Sequence, residues 1–312
     1  MAEAEIPVDL LNPGQVFACL GFLEAADTLL TEAQGGFDWR DPADIRFRLR
    51  AAGERNPFET VLEFLAETEP RRWAPVGYSD PPRNTRNGHN GEDETEEADQ
   101  LPRDRGASAP PSAPTFPARR GDPMALPIMI GGGNRPLVEL GHWTDGSSRE
   151  TFKLYAGNRS ADGIARAMLK GVRKKTKGVA QLWEEDRAAL VKAPFDVLAP
   201  MGGSFNFDPR GAWTAIDAGY SPNEHKHAVQ ASPVVEFLAA WGLEHARPAH
   251  FGERRVRYAA WGIGLPPILA RAALADGLTA ILSRELSRRF RFQLALAGKN
   301  KVVTFADEEP AP

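Results

Sequence analysis

The stretch Asp44-Ile-Arg-Phe-Arg-Leu-Arg50 alternates apolar and basic side chains without a break. A period of two belongs to a β-strand, whose successive side chains point to opposite faces. Ile45, Phe47 and Leu49 therefore share one face, and Arg46, Arg48 and Arg50 line the other. On either side of this strand the period changes. Asn12-Pro-Gly opens a helix: Asn caps, Pro suits the first turn, and Val16, Leu20, Leu23 and Leu30 fall on one side. Asn56-Pro-Phe-Glu-Thr-Val-Leu-Glu-Phe-Leu-Ala repeats the capped start and predicts a second helix.

Residues 79–123 combine many prolines, few apolar side chains and the run Glu92-Asp-Glu-Thr-Glu-Glu-Ala-Asp99. Such a stretch buries too little to offset its chain entropy, which predicts a disordered insertion. It divides an N-terminal part, 1–78, from a C-terminal part, 124–305, and a loop of this kind is tolerated within one domain. Residues 306–312 read as an acidic tail.

After the insertion, Leu137–Trp143 and Thr151–Tyr155 flank Asp145-Gly146, a hairpin signature. Ser160 or Asp162 caps a helix running to about Lys175, with Ile164, Met168 and Val172 on one face and Arg166, Lys170, Arg173 and Lys174 on another. Further helices fit Gln181–Val191, Pro233–Trp241 and Pro266–Leu274. Arg254–Trp261 and Arg289–Ala297 read as strands, and Leu278–Leu286 as a short strand or helical segment. Strands and helices interleave without a fixed repeat, so the expected class is mixed α+β with mainly antiparallel sheet.

The chain has 312 residues, enough for two ordinary domains or one large one. No unbroken apolar run reaches the roughly 18 residues of a membrane helix. Glu3 and Glu5 stand where a secretory signal would be basic, so a cytoplasmic protein is expected. Cys19 is the single cysteine, in an apolar helical context that predicts a buried, inert thiol. The net charge is −4, but the insertion carries −3 and Asp307-Glu308-Glu309 another −3, leaving the remaining body at +2. A basic face on that body is compatible with the acidic total.

The arginines are the main candidates for chemistry. Arg46, Arg48 and Arg50, the helix from Arg166, and the stripes Arg254/Arg255/Arg257 and Arg289/Arg291 place cations opposite apolar faces, while Arg210, in the turn after Phe205-Asn-Phe-Asp-Pro, would pair with Asp208 or meet a phosphate. Each alone is more often an ordinary solvated face. Together they favour contact with a phosphate backbone, by Arg46, Arg48, Arg50, Arg166, Lys170, Arg173, Lys174 and Arg210. Phe205–Asp208 reads as a strand end followed by a turn. The alternative is a metal-dependent nuclease in which Asp208 or Asp217 joins His225 and His227, since two histidines two apart in an extended segment can ligate one metal. No His-Glu-x-x-His and no second histidine cluster accompanies them. Gly131-Gly-Gly-Asn134 lacks the spacing of a phosphate-binding loop and reads as a turn.

Several blocks carry a resemblance. Ile6–Asp27, Phe152–Ser160, Phe205–Arg210 and Val234–Leu243 resemble the small third effector-cassette protein of bacterial type I-U, now type I-G, CRISPR systems, across most of the chain outside the insertion and tail. The resemblance implies a non-catalytic subunit or accessory protein in antiviral defence, with no cofactor. Its partners would be crRNA or target DNA and the other effector subunits. It implies either a large-subunit-like component or a repeat-associated RNA-binding protein, the latter ferredoxin-like in part. A protein-interaction subunit with solvated arginines is the third reading.

Overall fold

The computed structural model describes residues 1–73, 126–143, 152–155, 160–172, 176–211, 230–278, 282–283, 285–297 and 300–310. The predicted insertion at 79–123 lies outside them, as do Arg173, Lys174, Asp217, His225 and His227. The fold is α+β, and the strand pairs of the described residues are antiparallel.

The N-terminal part is β1 (Ala2–Pro7), α1 (Pro13–Leu30), β2 (Gln34–Asp38), β3 (Arg46–Ala51) and α2 (Pro57–Glu67). The opening stretch forms β3, at the centre of a sheet of order β1-β3-β2. Phe47 and Leu49 are fully buried beneath it. A helix linking two strands with a third paired between them is the split β-α-β arrangement of ferredoxin-like proteins. Asn12 and Asn56 cap their helices as the sequence predicts, each side chain accepting first-turn backbone N–H groups.

Next come β4 (Arg71–Arg72), β5 (Ile128–Gly132), β6 (Arg135–Leu140), α3 (Ala161–Lys170), α4 (Val179–Lys192), β7 (Ala199–Pro200), β8 (Gln230–Ala231) and α5 (Pro233–His245). β4 pairs with β5, and Trp73 N donates to Pro127 O at 2.9 Å. The residues flanking 74–125 thus lie side by side, which makes a long excursion between them entropically cheap. The predicted hairpin falls one turn earlier than expected. β6 pairs back onto β5 through Gly131-Gly132-Gly133-Asn134, where three consecutive glycines take φ of 82°, 103° and 69°. These angles favour glycine and close a tight turn. Phe152–Tyr155 is not a strand, and Asp145 and Gly146 lie outside the described residues.

α3 stops at Lys170 rather than Lys175, because Gly171 adopts a φ of 62° as its C-cap. α4 bends at Asp186, whose φ and ψ leave the helical region.

The last third contains β9 (Ala249–Gly252), β10 (Arg255–Trp261), α6 (Pro267–Leu274), β11 (Ser287–Gln293), β12 (Ala295–Ala297), β13 (Asn300–Val302) and β14 (Asp307–Glu308). A sheet of order β14-β11-β10-β9 results. The predicted strand 289–297 is broken at Leu294, whose N–H donates to Arg254 O, and the chain then turns into a separate β12-β13 hairpin. The tail Asp307–Glu308 is an edge strand rather than free chain. No regular element occupies the described part of 278–286.

The two parts share one core. α1 is not amphipathic as expected but buried all round from Pro13 to Ala26, because α5 lies along it in the same direction. Glycines permit the contact: a Cβ on Gly21 would stand 2.0 Å from Leu238 O, and one on Gly242 2.3 Å from Phe17 O. Tyr258 Oη donates to Leu10 O at 2.7 Å and Trp261 Nε1 to Gly35 O at 2.8 Å, tying the C-terminal sheet to the N-terminal part. Cys19 sits fully buried in α1, where desolvation pushes its thiol pKa up and keeps it inert. Among the described residues no helix is long and apolar enough to cross a membrane.

Candidate nucleic-acid interface

The arginine stripe of β3 lies between two strands that carry acids. The register places Glu3 and Gln34 across from Arg50, Glu5 and Gly36 across from Arg48, and Pro7 and Asp38 across from Arg46. Arg48 pairs with Asp38 at 2.6 Å and Glu5 at 3.2 Å, Arg46 pairs with Asp44 at 2.7 Å, and Arg50 donates to Gln34 Oε1. Hydrogen bonding from Arg40, helped by the Arg48 charge, holds the Asp38 carboxyl down at about 2. The stripe is a cross-strand ladder of opposite charges. Arg46 and Arg48 are neutralised by the chain itself, whereas Arg50 is exposed and meets only the neutral Gln34 amide.

The basic face of α3 is also engaged. Lys170 Nζ donates to Ala66 O at 2.7 Å, satisfying a carbonyl in the last turn of α2. Arg166 reaches Glu69 at 3.3 Å and the Pro70 carbonyl at 3.4 Å. These side chains fasten α3 onto the C-terminal end of α2.

Arg210 belongs to a polar hub at the N-terminal ends of α1 and α5. It grips Asp208 through Nε at 2.9 Å and Nη2 at 2.7 Å. Asp208, 1% exposed, also accepts from Asn12 Nδ2 and Ser232 N, the caps of the two helices. Glu236, fully buried in the first turn of α5, accepts the backbone N–H groups of Phe205, Phe207 and Asp208 at 2.9, 3.1 and 2.8 Å. The stretch 205–208 is therefore a carboxylate-clamped loop, not a strand end, and Asn206 takes a φ of 71° within it. Burial and the nearby Asp208 charge raise the Glu236 pKa to about 7, against the pull of the backbone donors. Two negative groups beside two positive helix ends also offset the parallel alignment of the helix dipoles. This hub gives Asp208 a structural occupation. The other members of the alternative metal set, Asp217, His225 and His227, lie outside the described residues, and no group of three or more potential metal ligands occurs among those described.

The C-terminal sheet differs. On its outer face Arg257 stands directly across from Arg291, Arg255 across from Gln293, and Arg289 across from Ala259. Like charges in register repel unless an anion intervenes. Arg257 has one in Glu309 at 2.8 Å, and Arg289 has one in Asp276 at 2.8 Å. Arg255 and Arg291 are exposed and have no ion pair among the described residues. Phe251 on β9 is 42% exposed, with the Arg257 guanidinium carbon 4.8 Å from its ring centroid. Guanidinium groups match phosphate oxygens in a two-bond fork, and an open aromatic face stacks on a base. The alternating arginines of 254–257 and 289–291 are legible in the sequence. That Arg255 and Arg291 have no ion pair among the described residues, and that Phe251 lies near Arg257, depends on strand register.

Comparison with protein-family models, with curated proteins and with solved structures finds no match for this chain.

Proposed function

We propose that the protein is a non-catalytic, cytoplasmic subunit or accessory protein of a type I-G CRISPR interference complex, which holds guide RNA or target-strand backbone on the outer face of β10 and β11. The observation that carries this reading is the pair of unneutralised arginines, Arg255 and Arg291, beside Arg257 stacked on exposed Phe251. Such contacts position a strand without reading it, and base pairing with the guide supplies the sequence choice. The interface thus moves from the β3 stripe to the C-terminal sheet.

A protein-interaction subunit is the second reading. It is favoured by the neutralised Arg46 and Arg48 of β3 and by Ile268 and Leu269 of α6, 66% and 43% exposed. Purification of the tagged protein with its neighbouring gene products, with and without nuclease, separates the two. The proposed function predicts that bound RNA or DNA is recovered and that nuclease reduces the yield of partners. Undiminished partner recovery with no nucleic acid would favour the second reading.

A further inference from the structure

The acidic segment Asp307-Glu308-Glu309 is seated on the arginine-bearing sheet as an added strand. The register aligns Asp307 with Arg291 and Glu308 with Phe290, and Glu309 N donates to Arg289 O at 2.8 Å. Its carboxylates take cations from both sides of β11: Glu309 binds Arg257, and Glu308 binds Arg288 through Nε at 2.7 Å. Hydrogen bonding to Glu309 raises the Arg257 pKa, and hydrogen bonding from Arg288 lowers that of Glu308. Arg257 is the residue that stacks on Phe251, so the segment covers the centre of the interface proposed above and leaves Arg255 and Arg291 open around it.

The segment is anchored most firmly at its start. Ala306 is buried and its N–H donates to Leu11 O at 2.8 Å, which fixes the chain just before the acids. Beyond that point the ladder is two residues long. On the arginine face the pair is Glu309 with Arg257, 14% and 31% exposed; Glu308 and Arg288, 40% and 27% exposed, pair on the opposite face. Partly exposed pairs are screened by salt, and a polyanion offering several phosphates competes for Arg257.

We infer that Asp307-Glu308-Glu309 is a cis-acting competitor, an acidic strand that occupies the arginine face of the C-terminal sheet and is displaced when a single nucleic-acid strand binds there. The inference rests on the function proposed above. A cis competitor lowers apparent affinity by the fraction of molecules in which the face is open.

The test is a titration of labelled oligouridylate against wild type and the isosteric variant D307N/E308Q/E309Q, at several salt concentrations, with Glu309→Gln alone as a milder second variant. The triple variant should bind about fivefold tighter or better and show a steeper salt dependence, because more cations are then free to displace counterions. Hydrogen exchange at the Glu309 amide of wild type, which donates to Arg289 O, should accelerate on binding. If wild type binds but the variants match it in affinity and slope, with no change in exchange, the competitor is overturned while the interface stands. If neither wild type nor variant binds at low salt, the interface falls, and the competitor with it.

Discussion

Gly21→Ala should destabilise the protein by about 3 kcal/mol, at the upper end of overpacking effects. The added methyl would stand 2.0 Å from Leu238 O and 2.7 Å from the Leu238 carbonyl carbon, both backbone atoms of a buried helix. No rotamer change relieves such a contact, so α1 and α5 must separate. That separation loosens Phe17, Phe22 and Trp241, all fully buried, each of which stabilises the fold by roughly 1.5–3 kcal/mol. Gly264→Ala is the control: its nearest neighbour would be Gln34 Oε1 at 3.9 Å, so it should unfold near wild type. Chemical denaturation of both variants reads the difference, and wild-type stability in Gly21→Ala would show that the two helices do not meet this closely.

Glu236→Ala should cost about 3–5 kcal/mol, the scale for removing one member of a buried charged network. Three buried backbone N–H groups, of Phe205, Phe207 and Asp208, lose their acceptor together, and each orphaned donor carries a penalty of about 1–3 kcal/mol. Loss of the loop should in turn free Arg210 and uncap Asn12 and Ser232. The pH dependence has a definite sign. The Glu236 pKa rises in the fold from 4.5 to about 7, so the folded state binds the proton more tightly than the unfolded chain. Its contribution is fully present below about 4.5 and is lost as pH rises through about 7. Between these values wild type should gain stability on acidification relative to Glu236→Gln, whose amide does not titrate. Parallel stability profiles for the two proteins would contradict the assignment.

Local signals carried much of the fold. The two Asn-Pro starts cap α1 and α2, and the alternation in Asp44–Arg50 gives β3 with its buried face on the correct side. These depend on neighbours in sequence, whose geometry is the same in any fold. The surroundings of α1 depend on a helix more than 200 residues away. One trace of it was present: Glu24 and Glu236 are acids flanked by apolar residues in their helices, and a charge so placed is buried only with partners, here Arg271 and the clamped loop. The hairpin was misplaced because Asp145-Gly146 is a common turn signal, whereas Gly131-Gly132-Gly133 supplies three positive φ values in succession.

The arginine stripes show where single-strand reading stops. Alternation tells that Arg46, Arg48 and Arg50 share a face, but whether that face is cationic depends on which acids the register brings alongside. In the N-terminal sheet Glu5 and Asp38 flank Arg48; in the C-terminal sheet Arg291 faces Arg257. The same pattern in sequence yields a ladder in which Arg46 and Arg48 meet acids and a sheet in which Arg255 and Arg291 have no ion pair among the described residues.

The salt dependence of single-strand binding tests whether the C-terminal sheet holds the phosphate backbone. Each phosphate contact contributes about 0.7 to the slope of log affinity against log salt for a single strand. Arg255→Gln/Arg291→Gln should therefore weaken binding and lower the slope by roughly 1.4, while Arg46→Gln/Arg48→Gln, whose arginines meet acids, leaves it close to wild type. An unchanged slope in the first variant, or its full loss moving to the second, would contradict the placement of the interface on the C-terminal sheet.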